Sequence, residues 1–261
     1  MRSLYARLLF IVTLVMCLGA ETDLDGRLYQ SSTDPLADVQ QALGRADKSD
    51  RLALVVLGAN WCHDSRALAS RLHRSPLAEV IQQRYEVVFV DVGFLDKGRE
   101  VTQQFGAAHF YATPTVLIVD PSNGQLVNDE DRHIWGNAYN IDMSSSARYF
   151  EKWATSDSDA DSVTDSPELQ QLYAQIDQFE QQLAERVAAG YAVVGPMLEA
   201  YEAGNAPEDF DASWNELRDF RMAIPDGIRE LREEAQRRVS EGDKNIQLAF
   251  PEYSLLSWES E

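Results

Sequence analysis

The sequence predicts an α/β fold: a mixed β-sheet flanked by helices, followed by a C-terminal α-helical hairpin. Three short segments, 51–57, 85–92 and 115–119, are rich in β-branched and apolar residues and have the length of buried strands. Helical patterns alternate with them, which is typical of a sheet covered on both faces. From about residue 168 onward, apolar residues recur every three or four positions, which predicts long amphipathic helices.

The other elements of the α/β region follow from helical stripes and turn residues. One helix is expected over 66–83, because its apolar residues share one stripe. Asp, Pro, Asn and Gly between 120 and 124 predict a turn, after which a hairpin partner for the third strand begins. The predicted order is strand 51–57, helix 66–83, strand 85–92, a polar helix ending at Gly106, strand 115–119, hairpin segment 125–127 and a helix around 145–153.

Composition and charge limit the classes of protein to which the chain can belong. Its 261 residues include 43 Asp and Glu against 23 Lys and Arg, a net charge of −20, and 44% are hydrophobic. Such a chain can bury a core, so wholesale disorder is excluded. Its charge is repelled by phosphate backbones and anionic lipid, which excludes a nucleic-acid binder and a peripheral protein held by basic residues. Two cysteines are too few for a disulfide scaffold or a Cys-rich metal site, and we expect no metal and no cofactor.

The N-terminus has the organisation of a secretory signal peptide. Two arginines and no acid precede the apolar run 8–18, which ends at Gly19-Ala20. The run is too short to cross a bilayer comfortably, and the alternative is an uncleaved N-terminal anchor. A lipoprotein signal at Cys17 is less favoured, since Met16 stands where a small residue is expected. We predict cleavage after Ala20, an exported protein that is periplasmic or secreted, and no stable membrane span after cleavage.

Cleavage changes the charge and the thiol content of the mature chain. Removal of the signal peptide at 1–20 takes away Arg2, Arg7 and Cys17, so 21 basic residues face 43 acidic ones and the net charge becomes −22. Cys62 is then the only thiol, and the mature chain cannot form an internal disulfide. A single cysteine is unusual in an oxidising compartment, which draws attention to Cys62.

A linker divides the chain into two regions. Residues 155–167 are rich in Ser and Asp and almost free of apolar side chains, the composition of a solvated linker. It separates a domain over 21–154 from a helical extension over 168–261. In the extension Pro196 is expected to kink or divide the first long helix, and Pro225 to interrupt the second. The hairpin could pack on itself, on the α/β domain or on a partner, and we expect cleavage at the linker to separate it.

The chemistry of the chain is concentrated in the segment Trp61-Cys62-His63-Asp64-Ser65. A strand that runs into a turn and then a helix places Cys62 at the helix N-terminus, where free N–H groups and the helix dipole favour a thiolate. His63 would add positive charge when protonated, whereas Asp64 opposes it. The polar turn favours a reactive cysteine. The alternative is a buried, inert cysteine, since free Cys is among the most buried residue types.

This segment and a second one resemble the thioredoxin superfamily. The resemblance rests on Trp61-Cys62 at a helix start and on Thr113-Pro114 before an apolar strand, and it covers about residues 50–153. In that family the proline is cis and lies beside the reactive cysteine, which implies the same for Pro114. The backbone of Thr113 would then pair with an extended substrate strand. The resemblance implies a thioredoxin-like sheet and makes Trp61, Thr113 and Pro114 the candidate substrate-binding residues.

Two departures from the family pattern bear on the reaction. Ser65 stands where a dithiol member has its second, resolving cysteine, so the motif is Cys-x-x-Ser, and Val56 stands where many thioredoxins bury an acid. Both changes affect the intramolecular resolution of a mixed disulfide. Attack by Cys62 on a disulfide remains chemically possible. The candidate catalytic residues are Cys62, His63 and Ser65, with Ser65 at most a hydrogen-bond donor to the thiolate.

The leading hypothesis is an exported thioredoxin-like protein that performs monothiol thiol–disulfide exchange through Cys62. Its partners would be protein or low-molecular-weight thiol and disulfide substrates, and turnover would need an external thiol. The alternative is a non-catalytic thioredoxin-fold module that holds a protein partner in the groove beside Pro114 or through the helical extension. Accessibility of Cys62 to thiol reagents distinguishes the two.

Overall fold

The computed structural model describes residues 28–155 and 166–259. The predicted signal peptide at 1–20 and residues 156–165 of the predicted linker lie outside these ranges. No described helix is long and apolar enough to cross a membrane. The described helices and strands are α1 (Pro35–Lys48), β1 (Leu52–Gly58), α2 (His63–Leu72), α3 (Leu77–Arg84), β2 (Tyr85–Asp91), α4 (Arg99–Gln104), β3 (Thr115–Val119), α5 (Met143–Thr155), α6 (Pro167–Glu202) and α7 (Phe210–Ser240), with two 3₁₀ helices at Asp129–Asp131 and Ile134–Asn140.

The three strands form a mixed sheet in the order β2-β1-β3. β1 pairs in parallel with β2 and antiparallel with β3, so that Val55 lies between Val88 and Leu117. The predicted hairpin segment at 125–127 makes an isolated antiparallel bridge to the end of β3 through Leu126 rather than a full strand. The mixed sheet with helices around it confirms the predicted thioredoxin-like α/β fold.

Alternate residues of the central strand contribute to two different cores. Leu54 and Val56 join an apolar cluster with α2, α3 and α5. Val55 and Leu57 join a second cluster with α1, α6 and α7. All four side chains are fully buried, because successive side chains of a strand point to opposite faces. The long C-terminal helices therefore belong to the layer that covers one face of the sheet.

The helical extension packs both on itself and on the sheet. α6 and α7 form the predicted hairpin, and Leu172, Ile176 and Val187 of α6 belong to the same apolar cluster as Val55 and Leu57. One cluster of contacting side chains is one core. This packing favours one shared core over a separable extension, because the sheet and the long helices bury the same apolar surface.

Both long helices run through their prolines. Pro196 lies inside α6 and Pro225 inside α7, and neither divides its helix. The expected division is wrong, because burial of the two helices against the core outweighs the hydrogen bond that each proline removes. Gly195 lies directly against the carbonyl oxygen of Phe94, where a side chain would collide. This close approach holds α6 on the loop that follows β2.

The predicted single helix over 66–83 is two helices, α2 and α3. They are separated at Ser75-Pro76, a cis peptide bond. Pro76 cannot donate the N–H that a continuous helix needs, and it keeps the residue before it out of the helical conformation. The apolar stripe that predicted one helix is real, since Leu68, Leu77 and Ile81 share one core.

Polar side chains also join the extension to the sheet region. Glu180 of α6 is buried, accepts a hydrogen bond from Tyr111 Oη at 3.0 Å and lies 3.4 Å from Arg132 Nη2. Tyr191 Oη donates to the carbonyl oxygen of Phe110 at 3.0 Å. A buried polar group without its partner is strongly destabilising. These bonds therefore fix how α6 sits on the segment before β3.

His109, in that same segment, is buried as a neutral ring. It packs edge-on against Phe110 and Tyr191, at 4.8 and 5.1 Å between ring centres. Its Nδ1 accepts a hydrogen bond from the backbone N–H of Phe110 at 2.8 Å. Burial first, and the nearby charge of Arg99 second, lower the pKa of His109 from 6.5 to about 4.

Mild acid is therefore expected to destabilise the fold through His109. Between pH 6.5 and about 4 the unfolded chain binds this proton and the folded chain does not, so the free energy of unfolding falls as the pH falls, by up to about 1.4 kcal/mol per pH unit. Urea denaturation at a series of pH values measures the slope. His109→Asn, whose amide oxygen can accept from the N–H of Phe110 without titrating, should make the slope shallower. His133, whose pKa is also lowered by burial from 6.5 to about 4, keeps its own contribution in both proteins. An equal slope in both proteins would contradict this assignment.

Candidate active site

Cys62 lies where the central strand passes into helix α2. β1 ends at Gly58, and Cys62 is the N-cap residue of α2 with extended backbone angles. The first N–H groups of a helix have no partner within it, so an anion at this position is favoured. Gly58 permits the tight turn, since a Cβ there would lie 2.6 Å from Ser65 Oγ and 2.7 Å from Tyr29 Cζ.

The thiol of Cys62 contacts the segment that leads into β3. Its Sγ donates a hydrogen bond to the carbonyl oxygen of Thr113 at 3.1 Å. The peptide bond between Thr113 and Pro114 is cis. Cys62 is 8% and Thr113 5% exposed. The structure thus brings together the cysteine and the Thr-Pro pair that the sequence assigned to one site.

Ser65 belongs to the framework beneath the thiol. Its side chain is fully buried, and its Oγ accepts a hydrogen bond from the backbone N–H of Ala59 at 3.3 Å. The hydroxyl therefore stabilises the turn before α2. The thiol of Cys62 hydrogen-bonds to Thr113, and a role for Ser65 as a donor to the thiolate stays a prediction.

Tyr29, which the sequence analysis missed, packs behind this turn. Its Oη donates to the carbonyl oxygen of Ser65 at 3.2 Å, and its carbonyl oxygen accepts from Asn60 Nδ2 at 2.6 Å. Burial first, and the neighbouring Cys62 second, raise the pKa of Tyr29 well above its usual value. The phenol is therefore a neutral donor that holds the first turn of α2. A lone tyrosine far from the motif carries no local pattern that would have predicted this.

His63 lies at the rim of the site, where Asp64 holds it. Its side chain is 65% exposed and its Nε2 lies 3.1 Å from Asp64 Oδ2. The ring also meets Tyr139 edge-on, 5.5 Å between centres. The backbone N–H of Tyr139 donates to Asp64 Oδ1 at 2.8 Å, so Asp64 ties α2 to the second 3₁₀ helix. The catalytic role of His63 stays a prediction.

Trp61 connects the motif to the helical extension. Its Nε1 donates to the carbonyl oxygen of Gly93 at 2.7 Å, which fixes the ring. The ring packs edge-on against Trp214 of α7, with 6.0 Å between ring centres. Such aromatic pairs add stability beyond the area that they bury. The extension therefore reaches the residue next to Cys62.

The motif forms one wall of a cleft of about 400 Å³. Cys62, His63, Asp64 and Thr113 lie on this wall. The opposite wall is made by the end of α6 and the first turns of α7. Its apolar side chains are Leu198, Tyr201, Phe210, Trp214 and Met222, and its basic ones are Arg218 and Arg221.

The sequence does not predict this second wall. The periodicity from about residue 168 onward predicts long amphipathic helices, but periodicity does not identify what a helical face packs against. The available signal was the concentration of aromatic side chains at Tyr201, Phe210 and Trp214, around the connection between the two long helices. Aromatic residues with polar neighbours are typical of binding surfaces.

The described site contains one thiol, that of Cys62. Cys62 is a free cysteine, and Val56, in the strand before it, is fully buried in the apolar core under α2. The side chains that the structure describes include no group of three or more His, Cys, Asp or Glu residues arranged to hold a metal ion.

A family model matches the part of the chain that carries this site. Residues 34–121 match a family model described as thioredoxin-like, and this part of the chain, with Cys62, Ser65 and Pro114, is a thioredoxin-like domain. The crystal structure of a disulphide isomerase from Xylella fastidiosa is 29% identical over 48% of this chain and 94% of that chain, with a TM-score of 0.43. No curated protein matches the chain.

Proposed function

We propose that the protein is an exported thioredoxin-like protein that exchanges thiols and disulfides through Cys62 alone. The position of Cys62 Sγ carries the proposal: it lies at the N-terminus of α2, 3.1 Å from the carbonyl oxygen of Thr113. A helix N-terminus favours the thiolate, which is the nucleophile in exchange. Export through the predicted signal peptide at 1–20 would bring the thiol to a compartment where disulfides persist.

The first step is attack of the Cys62 thiolate on a substrate disulfide. A bond forms between Cys62 Sγ and one substrate sulphur while the substrate S–S bond breaks, and the other sulphur leaves as a thiolate that takes up a proton. The number of disulfides stays constant, because the product is a mixed disulfide between Cys62 and half of the substrate. Loss of the thiol proton also ends its hydrogen bond to Thr113 and frees that carbonyl oxygen.

Thr113 and Pro114 supply the edge along which a substrate chain would lie. They immediately precede β3, so their backbone continues the direction of a strand. An extended peptide can add to such an edge through main-chain hydrogen bonds. Trp61, held by Gly93, would flank the peptide on the other side of the sulphur.

Release of the substrate requires a second thiol from outside. The side chain of Ser65 is a hydroxyl, which does not attack a disulfide sulphur as a thiolate does. The apolar Val56 offers no carboxylate to move a proton beneath the site. An external thiolate would attack the mixed disulfide, take over the substrate sulphur and leave Cys62 as the thiolate.

Covalent capture tests the proposal. The chain, expressed with residues 1–20 and incubated with a disulfide-bridged peptide, is expected to gain the mass of one peptide half. Cys62→Ser should gain nothing, and added dithiothreitol should remove the gain. The same mass spectrum shows whether the mature chain begins at Glu21.

A chain that stays unmodified would contradict the exchange function. Two controls accompany this outcome. A small neutral disulfide should also fail to react with Cys62, and the far-UV spectrum should be that of a folded protein. The cleft would then belong to a module that binds a partner without covalent chemistry.

A further inference from the structure

Arg221 of α7 is a buried cation in the wall of the cleft. It is 5% exposed and lines the same cleft as Cys62. Its guanidinium lies 5.5 Å from the ring centre of Trp214 and 5.8 Å from that of Tyr191. Its Nη1 donates to Tyr191 Oη at 3.3 Å. Arginine stays protonated in proteins, so a full positive charge is buried beside the cleft.

This charge has no carboxylate partner in the described chain. Among the side chains that the structure describes, no Asp or Glu oxygen lies within 4.0 Å of a nitrogen of Arg221. The other buried arginine among these side chains, Arg132, has two carboxylate partners, Asp129 and Glu180. Buried charges in proteins are normally paired, since an unpaired one is strongly destabilising. The charge of Arg221 is therefore available to an anion that enters the cleft.

The other charged side chains along the cleft have their own partners or are exposed, so Arg221 is available to bind a ligand. Asp64 is occupied by the bonds described above. Glu202 and Asp211 are exposed at the mouth of the cleft. Arg218 is half exposed and pairs with its neighbour in sequence.

Arg221 and the sulphur are linked through two aromatic rings. Trp61 precedes Cys62 and packs on Trp214, and Trp214 lies under the guanidinium of Arg221. The cleft between them, about 400 Å³, has the size that holds a small ligand or a few residues of a peptide. One molecule can therefore contact both groups.

We propose that Arg221 binds a carboxylate carried by the disulfide substrate, so that the cleft selects acidic disulfides. The inference rests on the proposed exchange function of Cys62 and deepens it. A guanidinium and a carboxylate form strong, directional hydrogen bonds, and these would hold the S–S bond against the thiolate. The chain as a whole repels anions, so an acidic substrate needs a local cation to reach the thiol.

Two disulfides that differ only in charge test the proposal: 3,3′-dithiodipropionate and its diamide. The rate of adduct formation on Cys62 is measured by mass spectrometry in the full mature chain. Arg221→Gln is expected to lower the rate with the dicarboxylate about tenfold or more and to leave the rate with the diamide within about twofold. Arg229→Gln removes the same charge from an exposed position of α7 outside the cleft and should change neither rate.

A salt titration of the wild-type protein keeps the test independent of how well the variant folds. Without a local cation, screening of the acidic chain would raise the rate with the dicarboxylate as salt increases. With Arg221 as the binding group, the rate should fall, while the rate with the diamide stays constant. A rate that rises with salt overturns the proposal.

Peptide substrates identify the source of the carboxylate. Two disulfide-bridged peptides, with Glu or Gln beside the cysteine, are compared in wild type and Arg221→Gln. Loss of rate for the Glu peptide as well as the dicarboxylate assigns the site to acidic peptides, whereas loss for the dicarboxylate alone assigns it to low-molecular-weight disulfides. Equal loss with acidic and neutral substrates overturns the inference about Arg221. A wild-type protein that reacts with none of them overturns the exchange function of Cys62 instead.

Discussion

Replacing Ser65 with cysteine is expected to shorten the lifetime of a Cys62 mixed disulfide about a hundredfold or more. Cys62 is the N-cap of α2 and Ser65 its third residue, positions whose side chains lie on one side of the first turn. The introduced thiol attacks within the molecule, at an effective concentration far above that of an added thiol. It forms a disulfide with Cys62 Sγ, breaks the bond from Cys62 to the substrate and releases the substrate sulphur as a thiol.

The matched control for this substitution is Ser65→Ala. Both variants alter the hydrogen bond that Ser65 Oγ accepts from Ala59, but only one adds a nucleophile. The adduct is prepared with one disulfide-bridged peptide, excess reagent is removed, and its decay is followed by mass spectrometry without added thiol. The alanine variant and the wild type should retain the adduct. An adduct that persists in Ser65→Cys, with thermal melting unchanged, would show that this side chain does not face the sulphur of Cys62.

A chain that ends at residue 155 is expected to be insoluble or to unfold without a cooperative transition. It would uncover the sheet face formed by Val55, Leu57, Leu117 and Val119, which are fully buried with the long helices. Each such side chain contributes about 1.5–3 kcal/mol when buried, whereas a whole domain is stable by only about 5–15 kcal/mol. Loss of one covering layer is therefore comparable to the entire stability of the fold.

Cleavage in place of deletion provides the control. A protease site inserted into 156–165 allows the chain to be cut while both parts remain present. The cut protein is expected to elute as one species and to melt cooperatively, because the shared core does not depend on the linker. A soluble and cooperatively folding 21–155 fragment would contradict the shared-core interpretation and restore the separable extension.

Local rules predicted the strands well and the helix interruptions poorly. β-branched runs such as the one around Val55 predict the strands, because β-branched side chains are favoured at buried positions of a sheet. The apolar pattern that continues across Pro76 predicted one helix where there are two, because the helices on either side of Pro76 pack against the same core. At Pro196 and Pro225 the local rule predicted a break that tertiary burial prevents. Proline thus separates two helices at Pro76 and leaves the helix continuous at Pro196 and Pro225. Tertiary packing determines which of the two happens, and the local sequence does not show that packing.

The candidate site likewise has one part that the sequence predicts and one part that it does not. Cys62 and Thr113 could be brought together from the sequence because both lie in motifs that resemble a known family. The wall opposite them could not, because no local pattern states that Trp214 packs on Trp61 or that Arg221 has no carboxylate partner among the described side chains. Both facts depend on how the long helices dock on the sheet.

The division of the cleft between two stretches of chain also affects how such a protein can diverge. The segment around Cys62 determines what the sulphur does, and α7 forms much of the surface that a target molecule would meet. Mutation can therefore change the target through α7 while the cysteine segment keeps its sequence and its chemistry. Proteins that share the Cys-x-x-Ser segment would inherit one reaction, and their descendants would differ in specificity wherever their long helices differ.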